Sequence, residues 1–565
     1  MRPMLTILML ALCISASSQN AYPKGYFRNP LDIPISLSGN FGELRPNHYH
    51  MGIDLKTAQR ENLSVHAAAE GYISRIKIEP GGFGRAIYIT HPNGYTTLYA
   101  HLNNFAAAID AYVKQQQYVQ ESWRVQLDIS PGKFVVKQGD FIAFSGNTGG
   151  SQAPHLHFEI RRTVDDVNVN PMLFGFPIAD NIKPRILRLA VYDRTLSVYE
   201  QSPKLFPLKS VSPSAYTTVP GILAVGAPLI SLAITSYDTH NGSSNLNGIF
   251  EASLTVNGKK EESFRMDNIS YHGTRYINAH IDYRYKTLGG SYLQHLSELP
   301  GYLNSIYTNG SEHGVLDISD GDIYDIDIEV ADAAGNTSSL KTRIQYQVNK
   351  LVPAKAPGKM FYPLMLDGYE SDNCEFYIGE RCLYDSVHLN YSSYTSGDPD
   401  VMSDVQVIGA SYIPLQDSFT IGIKPLTTIP EEDKKFTVMQ WFNGQKQSVQ
   451  KVVWQQDWAY ARFRDLGKFQ LVEDSDPPVI VPLGFANGSV LTRESKIVFN
   501  VKDNLKVVKK VRAELDGKWL RFTNDKNGRF IYAIDEKFLP GRHVLKIWAE
   551  DEAGNVTLNT YTISR

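Results

Sequence analysis

The chain has 565 residues, with 42% hydrophobic and 20% charged residues and a formal net charge of −3. That balance excludes a disordered chain, and without a long basic run it argues against nucleic acid as a partner. The length is too great for one hydrophobic core and predicts roughly three to five domains.

Arg2 followed by the apolar run Leu5 to Ile14 reads as a signal peptide over residues 1–18. Small residues from Ser15 to Ser18 place cleavage near Ser18–Gln19. Leu12 argues against a lipid anchor on Cys13, because a lipoprotein signal needs a small residue there. No later stretch reaches the roughly 18 uninterrupted apolar residues of a membrane span. The expected location is therefore the periplasm, the cell envelope or the outside of the cell.

From 25 to 172, short strand-like runs alternate with turn signals. Gly71 to Ile78, Ala86 to His91, Thr96 to Leu102, Phe141 to Ser145 and His155 to Ile160 each read as a strand. Pro80-Gly81-Gly82, Pro92-Asn93-Gly94 and Gly146 to Gly150 read as turns. Between Asn104 and Glu121, Phe105, Ile109, Tyr112 and Val113 follow a helical period. Seven of the fourteen histidines fall between His48 and His157, where even scattering would place about three. They include the clusters His50-Met51-Gly52-Ile53-Asp54, Tyr99-Ala100-His101-Leu102 and His155-Leu156-His157-Phe158. Imidazole and carboxylate together form a donor set that zinc prefers, and three protein ligands leave a position for water. His155 and His157 are two apart, so on a strand both rings share one face. One of them suffices as a ligand, leaving the other beside the water as a base or proton carrier. His48, His66 and His91 read as loop, structural and turn-anchoring residues.

The remainder is rich in β-forming residues. Two segments, 180–350 and 474–565, open and close alike and read as β-sandwich, Ig-like modules. They open with Asn181-Ile182-Lys183-Pro184 and Asp474-Ser475-Asp476-Pro477, and close through Asp332-Ala333-Ala334-Gly335-Asn336 and Asp551-Glu552-Ala553-Gly554-Asn555. The closing segments read as turns shaped by Gly and Asn rather than as calcium ligands. The first module is long and carries an insertion near 266–315. Residues 351–473 form a further β module whose kind the sequence does not name. Cys374 and Cys382 stand eight apart; an oxidising compartment favours a disulfide, the alternative being two buried thiols. The seven histidines after 172 form no ligand-spaced pair and read as surface or packing residues. The fold class is thus mainly β, a small antiparallel domain followed by several sandwich modules.

The segments Phe41 to Arg45, His50 to Asp54, Ala67 to Ile73, His91 to Gly94, Tyr99 to Leu102, Gly146 to Gly149 and Pro154 to Ile160 resemble, in order, the motifs of the lysostaphin-like (LytM-type) zinc metalloendopeptidases. The resemblance covers about a quarter of the chain. It implies His50, Asp54 and His157 as ligands of one Zn2+, with His101 and His155 as the catalytic histidines. It also implies hydrolysis of peptide bonds in bacterial peptidoglycan, in a groove of a small antiparallel β fold. The distance from His101 to His155 is longer than in typical relatives, so 103–133 reads as an insertion expected to wall the groove.

Two other functions remain open at this point. One is a non-enzymatic regulator of wall hydrolases, which the complete set of five site residues opposes. The other is a peptidase for a protein substrate, with adhesive β modules that bind cell-envelope partners.

Overall fold

A computed structural model describes residues 22–304, 306–310, 312–348, 356–491, 496–524 and 528–565. The expected signal peptide and Cys13 lie outside the described residues.

The N-terminal domain is built on an antiparallel sheet with strand order Leu37–Gly39, Ile53–Lys56, His155–Arg162, Tyr95–Ala100, Arg85–Thr90, Gly71–Ile78 and Val135–Val136. The five strands read from sequence all form, within two residues of their expected ends. Ile73, Ile76, Ile87, Ile89, Tyr99, Leu156, Phe158 and Ile160 fill the core on this sheet. Burial of that apolar surface is the main force holding the sheet together.

The insertion behaves differently from its expected role as a groove wall. Its helix, Ala107–Val119, buries Ile109 and Val113 against the domain core. Its polar side meets the last β module instead. Lys114 pairs with Asp535 at 2.8 Å and Glu536 at 3.1 Å, and Arg512 pairs with Glu121 at 2.7 Å. Tyr118 packs edge-on against Trp519. Only the following strand, Val125–Asp128, reaches the groove, through Gln126. A helix with charged residues on its open face thus found charged partners on another module.

Beyond residue 180 the chain is almost wholly β. The first module alternates cleanly: in Ile323–Ala331 the residues Ile326, Ile328 and Val330 are buried while Asp325 and Asp327 stay partly in solvent. Its insertion is a keystone. Asn268–Ile269 pairs with Asn168–Val169 and so extends the N-terminal sheet. Thr274 Oγ1 accepts from the Tyr49 backbone N–H at 2.9 Å, and Arg275 donates to the Leu415 carbonyl of the next module at 2.8 Å. Phe41, Tyr49 and Met51 of the N-terminal domain share one core with Ile249, Phe264 and Ile277.

The middle module has two five-stranded sheets, and the last has sheets of three and four strands. These two modules meet where Val438, Val449 and Val472 pack on Ala553 and where Lys451 donates to the Ala553 carbonyl. Successive domains therefore touch, and the last returns to the first through the insertion helix.

The disulfide expectation is corrected. Cys374 and Cys382 are free, buried thiols. Cys374 lies at the start of strand Cys374–Ile378, whereas Cys382 follows the turn after it. Burial pushes the Cys374 thiol up to about 12, so it stays protonated and inert.

Candidate metal centre

Asp54 and His157 are direct cross-strand partners, on Ile53–Lys56 and His155–Arg162. Such partners have Cβ atoms about 4.5–5.5 Å apart, which brings their tips together. His50 precedes them in a hairpin held by Gly42 N–H to the His50 carbonyl and His50 N–H to the Glu43 carbonyl. Gly52 lets this segment lie flat on its neighbour; a Cβ there would overlap the Phe158 carbonyl oxygen.

The result is three donor atoms facing one another. His50 Nε2 is 3.0 Å from Asp54 Oδ1 and 3.0 Å from His157 Nδ1, and His157 Nδ1 is 2.9 Å from Asp54 Oδ1. All three residues are buried. Each has its other polar atom tied down outside the cluster. His50 Nδ1 lies 2.7 Å from the Asn40 carbonyl, His157 Nε2 lies 2.9 Å from Glu159 Oε1, and Arg45 donates to Asp54 Oδ2 at 2.6 Å. Those contacts fix the ring orientations, so that His50 Nε2 and His157 Nδ1 are the atoms turned toward the cluster.

Electrostatics supports a positive charge at this point. Burial would lower His157, but hydrogen bonds to Asp54 and Glu159 outweigh it and raise the ring to about 9. Burial holds His50 down at about 4. Burial would raise Asp54, yet His50 and the other two histidines keep it well below the carboxylate range. Glu159 is likewise held at about 2, burial being overcome by Arg161 and His157. Once a cation displaces the His157 proton, two imidazole nitrogens and one carboxylate, all preoriented, fit the nitrogen and oxygen donors that zinc takes.

His101 and His155 stand beside the cluster. Their rings are 4.8 Å apart between centroids, and that of His101 is 5.8 Å from His157. His101 adopts a left-handed backbone, φ +59°, uncommon for a non-glycine residue and frequent at functional sites. Its Nδ1 is 2.9 Å from the Thr148 carbonyl. Burial, then the neighbouring His157 and His155, lowers it to about 3, so it stays neutral. His155 Nδ1 is 2.8 Å from the Ala153 carbonyl, and its Nε2 lies 3.4 Å from Asp54 Oδ1 without a hydrogen bond.

The cluster opens into a groove of about 530 Å³ whose walls include Phe83, His101, Arg161 and Tyr271.

Residues 48–124 and 124–171 match the model of peptidase family M23. The chain carries a peptidase family M23 domain. Residues 363–474 match the Zu5-like domain, which gives the middle module a kind. The chain is 31% identical over 163 residues to an uncharacterized metalloprotease of Haemophilus influenzae, covering 27% of this chain and 28% of that one. It is 35% identical over 128 residues to the DD-carboxypeptidase/endopeptidase Mpg of Neisseria meningitidis, 23% of each chain. The catalytic domain of lysostaphin from Staphylococcus simulans is 25% identical, with a TM-score of 0.17, over 24% of this chain and 87% of that one. The chain thus spans about a quarter of the length of the curated relatives it matches.

The five residues expected at the M23 site all converge. The other early histidines do not join them. His91 bridges the Glu70 carbonyl and Thr97, His66 contacts Asp32 and the Gly139 carbonyl, and His48 contacts the Pro46 carbonyl. The outer partners Arg45 and Glu159 were inside the sequence motifs but had no role assigned. Glu159 did have a signal, standing two residues after His157 on the same strand face. The Asn40 carbonyl and Tyr271, which lies 221 residues after His50, had none.

Proposed function

We propose that this protein is an exported zinc metalloendopeptidase that hydrolyses peptide bonds of peptidoglycan cross-links or bridges. The convergence of His50, Asp54 and His157, with two further histidines beside them in an M23 domain, carries this reading. Relatives named as a DD-carboxypeptidase/endopeptidase and as peptidoglycan DD-endopeptidases support the substrate class. The division into a peptidase unit over 25–172 and β modules over 180–350, 351–473 and 474–565 belongs to the same proposal.

His50, Asp54 and His157 hold one zinc ion. When bound, zinc supplies Lewis-acid activation of water and of the scissile carbonyl. His155 is the general base: its Nδ1 proton is engaged by the Ala153 carbonyl, so its Nε2 lone pair is free to take a proton from water. His101, held neutral with Nδ1 on the Thr148 carbonyl, accepts a hydrogen bond at Nε2 and orients the attacking water. The aromatic and guanidinium surfaces of Phe83, Tyr271 and Arg161 position the peptide in the groove.

The test is digestion of purified peptidoglycan of known cross-link chemistry, read by mass spectrometry, with metal analysis of each variant. Cross-linked dimers should fall and monomers rise. His157→Ala should lose zinc and activity together, while His155→Ala should keep zinc and lose turnover. Full activity in either variant would refute the assignment.

A further inference from the structure

The two modules that open and close alike in sequence are also alike at atomic scale where the chain enters them. In the first, the donor atoms of Asp180, Asp238 and His240 lie within 4.8 Å of one another. In the last, so do those of Asp474, Asp503 and Asp551.

Both clusters are built on the same frame. Asp332 Oδ1 accepts from the Ala334 and Asn336 backbone N–H groups, and Asn336 Nδ2 reaches Asp332 Oδ2 and the Asp180 carbonyl. Asp551 Oδ1 accepts from Gly554 and Asn555, and Asn555 Nδ2 reaches Asp551 Oδ2 and the Asp474 carbonyl. The turn of the closing motif therefore straps the entering segment, and the entering aspartate is delivered beside a second one.

Each cluster keeps a carboxylate oxygen buried without a hydrogen-bond partner. Asp238 and His240 are each 2% exposed, and the Asp180 side chain 1%. Asp180 Oδ2, Asp238 Oδ1 and His240 Nε2 are buried atoms with no hydrogen-bond partner. In the last module Asp474 and Asp551 are buried, and Asp503 Oδ1 is buried without a partner. Among the described residues, no lysine or arginine forms an ion pair with any of these aspartates. A buried charge without a partner is strongly unfavourable, and native structures rarely leave one.

We propose that each cluster is a calcium site, formed by Asp180 and Asp238 beside Asp332 in one module and by Asp474, Asp503 and Asp551 in the other. Carboxylate oxygens from separate segments are the ligands that calcium takes, with backbone carbonyls and water completing its shell. His240 steadies the first site without ligating. Its Nδ1 accepts from the Asn247 amide at 3.0 Å, so Nε2 carries the proton and faces Asp180 Oδ2 at 3.7 Å. That arrangement disfavours zinc, which needs the nitrogen lone pair. Burial, then Asp180 and Asp332, pushes Asp238 up to about 8, a cost that a divalent cation removes. Each ion ties the entering segment to its sandwich, one just after the peptidase domain and the other just after the Zu5-like module.

The test uses the full zinc-loaded chain, titrated with calcium chloride by calorimetry and followed by thermal melting. The parent should bind two equivalents at up to roughly millimolar calcium, the range of extracellular calcium modules. Asp238→Asn and Asp503→Asn should each bind one, and the double variant none. Calcium should raise the melting temperature of the parent and not of the double variant, with circular dichroism confirming that all are folded. No binding by the parent, or two equivalents in either single variant, would overturn the proposal. Displacement of calcium by equimolar zinc at the first site would overturn the choice of ion there.

Discussion

Glu159→Gln isolates the outer partner of a proposed metal ligand with almost no change of shape. Glu159 is fully buried, and its Oε1 meets His157 Nε2 at 2.9 Å while Oε2 receives Arg161 at 2.6–2.7 Å and Asn168 at 2.7 Å. The amide oxygen of glutamine still accepts from His157, but without the charge that strengthens the ring as a donor. Loss of such an outer partner weakens metal binding about 10–100-fold, which is about 1.4–2.8 kcal/mol. The substitution also strips Arg161, a 4% exposed side chain, of its buried partner and leaves Asp166 at 3.1 Å. Breaking a buried pair from one side costs about 3–5 kcal/mol, and Asp166 recovers part of that. Two readouts separate these effects: zinc affinity by competition with a chromophoric chelator, and melting of the metal-free protein. The variant should be less stable without metal and should show a further loss of zinc affinity in the folded state. A folded variant with the parent's zinc affinity would refute the idea that Glu159 sets the donor strength of His157.

Two other outcomes are expected. Gly149 has φ +67°, and a Cβ there would overlap the backbone nitrogen of Gly84. Gly149→Ala should therefore move the Thr148 carbonyl away from His101 and cut turnover while zinc content, measured by atomic absorption, stays at the parent level. Glu262 is buried with one unpartnered oxygen, and burial raises it to about 7 from an ordinary value of 4.5. Its folded state holds the proton longer than the unfolded chain, so stability present below pH 4.5 is lost as pH rises to about 7. Glu262→Gln should melt higher than the parent at pH 8 and close to it at pH 4.5; a difference independent of pH would refute the assignment.

The M23 site was readable because its chemistry is local. His50 and Asp54 are four apart, His155 and His157 are two apart, and strand period alone puts the latter pair on one face. The strand Gly71–Ile78 and the helix around Ile109 and Val113 were readable for the same reason. What escaped depends on contacts that no window of sequence contains. Asn40 offers His50 a backbone carbonyl, a group every residue has, while its side chain binds Gly248. Tyr271 reaches the groove only because Asn268–Ile269 pairs with Asn168–Val169, a register set by folding of the whole chain. The turn reading of the Asp-x-Ala-Gly-Asn segments described their backbone correctly. It could not reveal that Asp238, nearly a hundred residues earlier, lies beside one of them. From sequence His240 reads as a surface or packing residue, because the carboxylate it faces, Asp180, comes from a separate segment.

The contact between the insertion helix and the last module turns a linear order of domains into a closed circuit. Lys114, Glu121 and Tyr118 on one side meet Asp535, Arg512 and Trp519 on the other. In a beaded chain, one cut in a connecting segment separates the pieces; in a circuit each piece keeps a neighbour on both sides. A single proteolytic nick between modules would then leave the particle's size in gel filtration unchanged while a denaturing gel showed two fragments. The groove would stay attached to its β modules after such a cut, held also by the core that Phe41, Tyr49 and Met51 share with Ile249, Phe264 and Ile277.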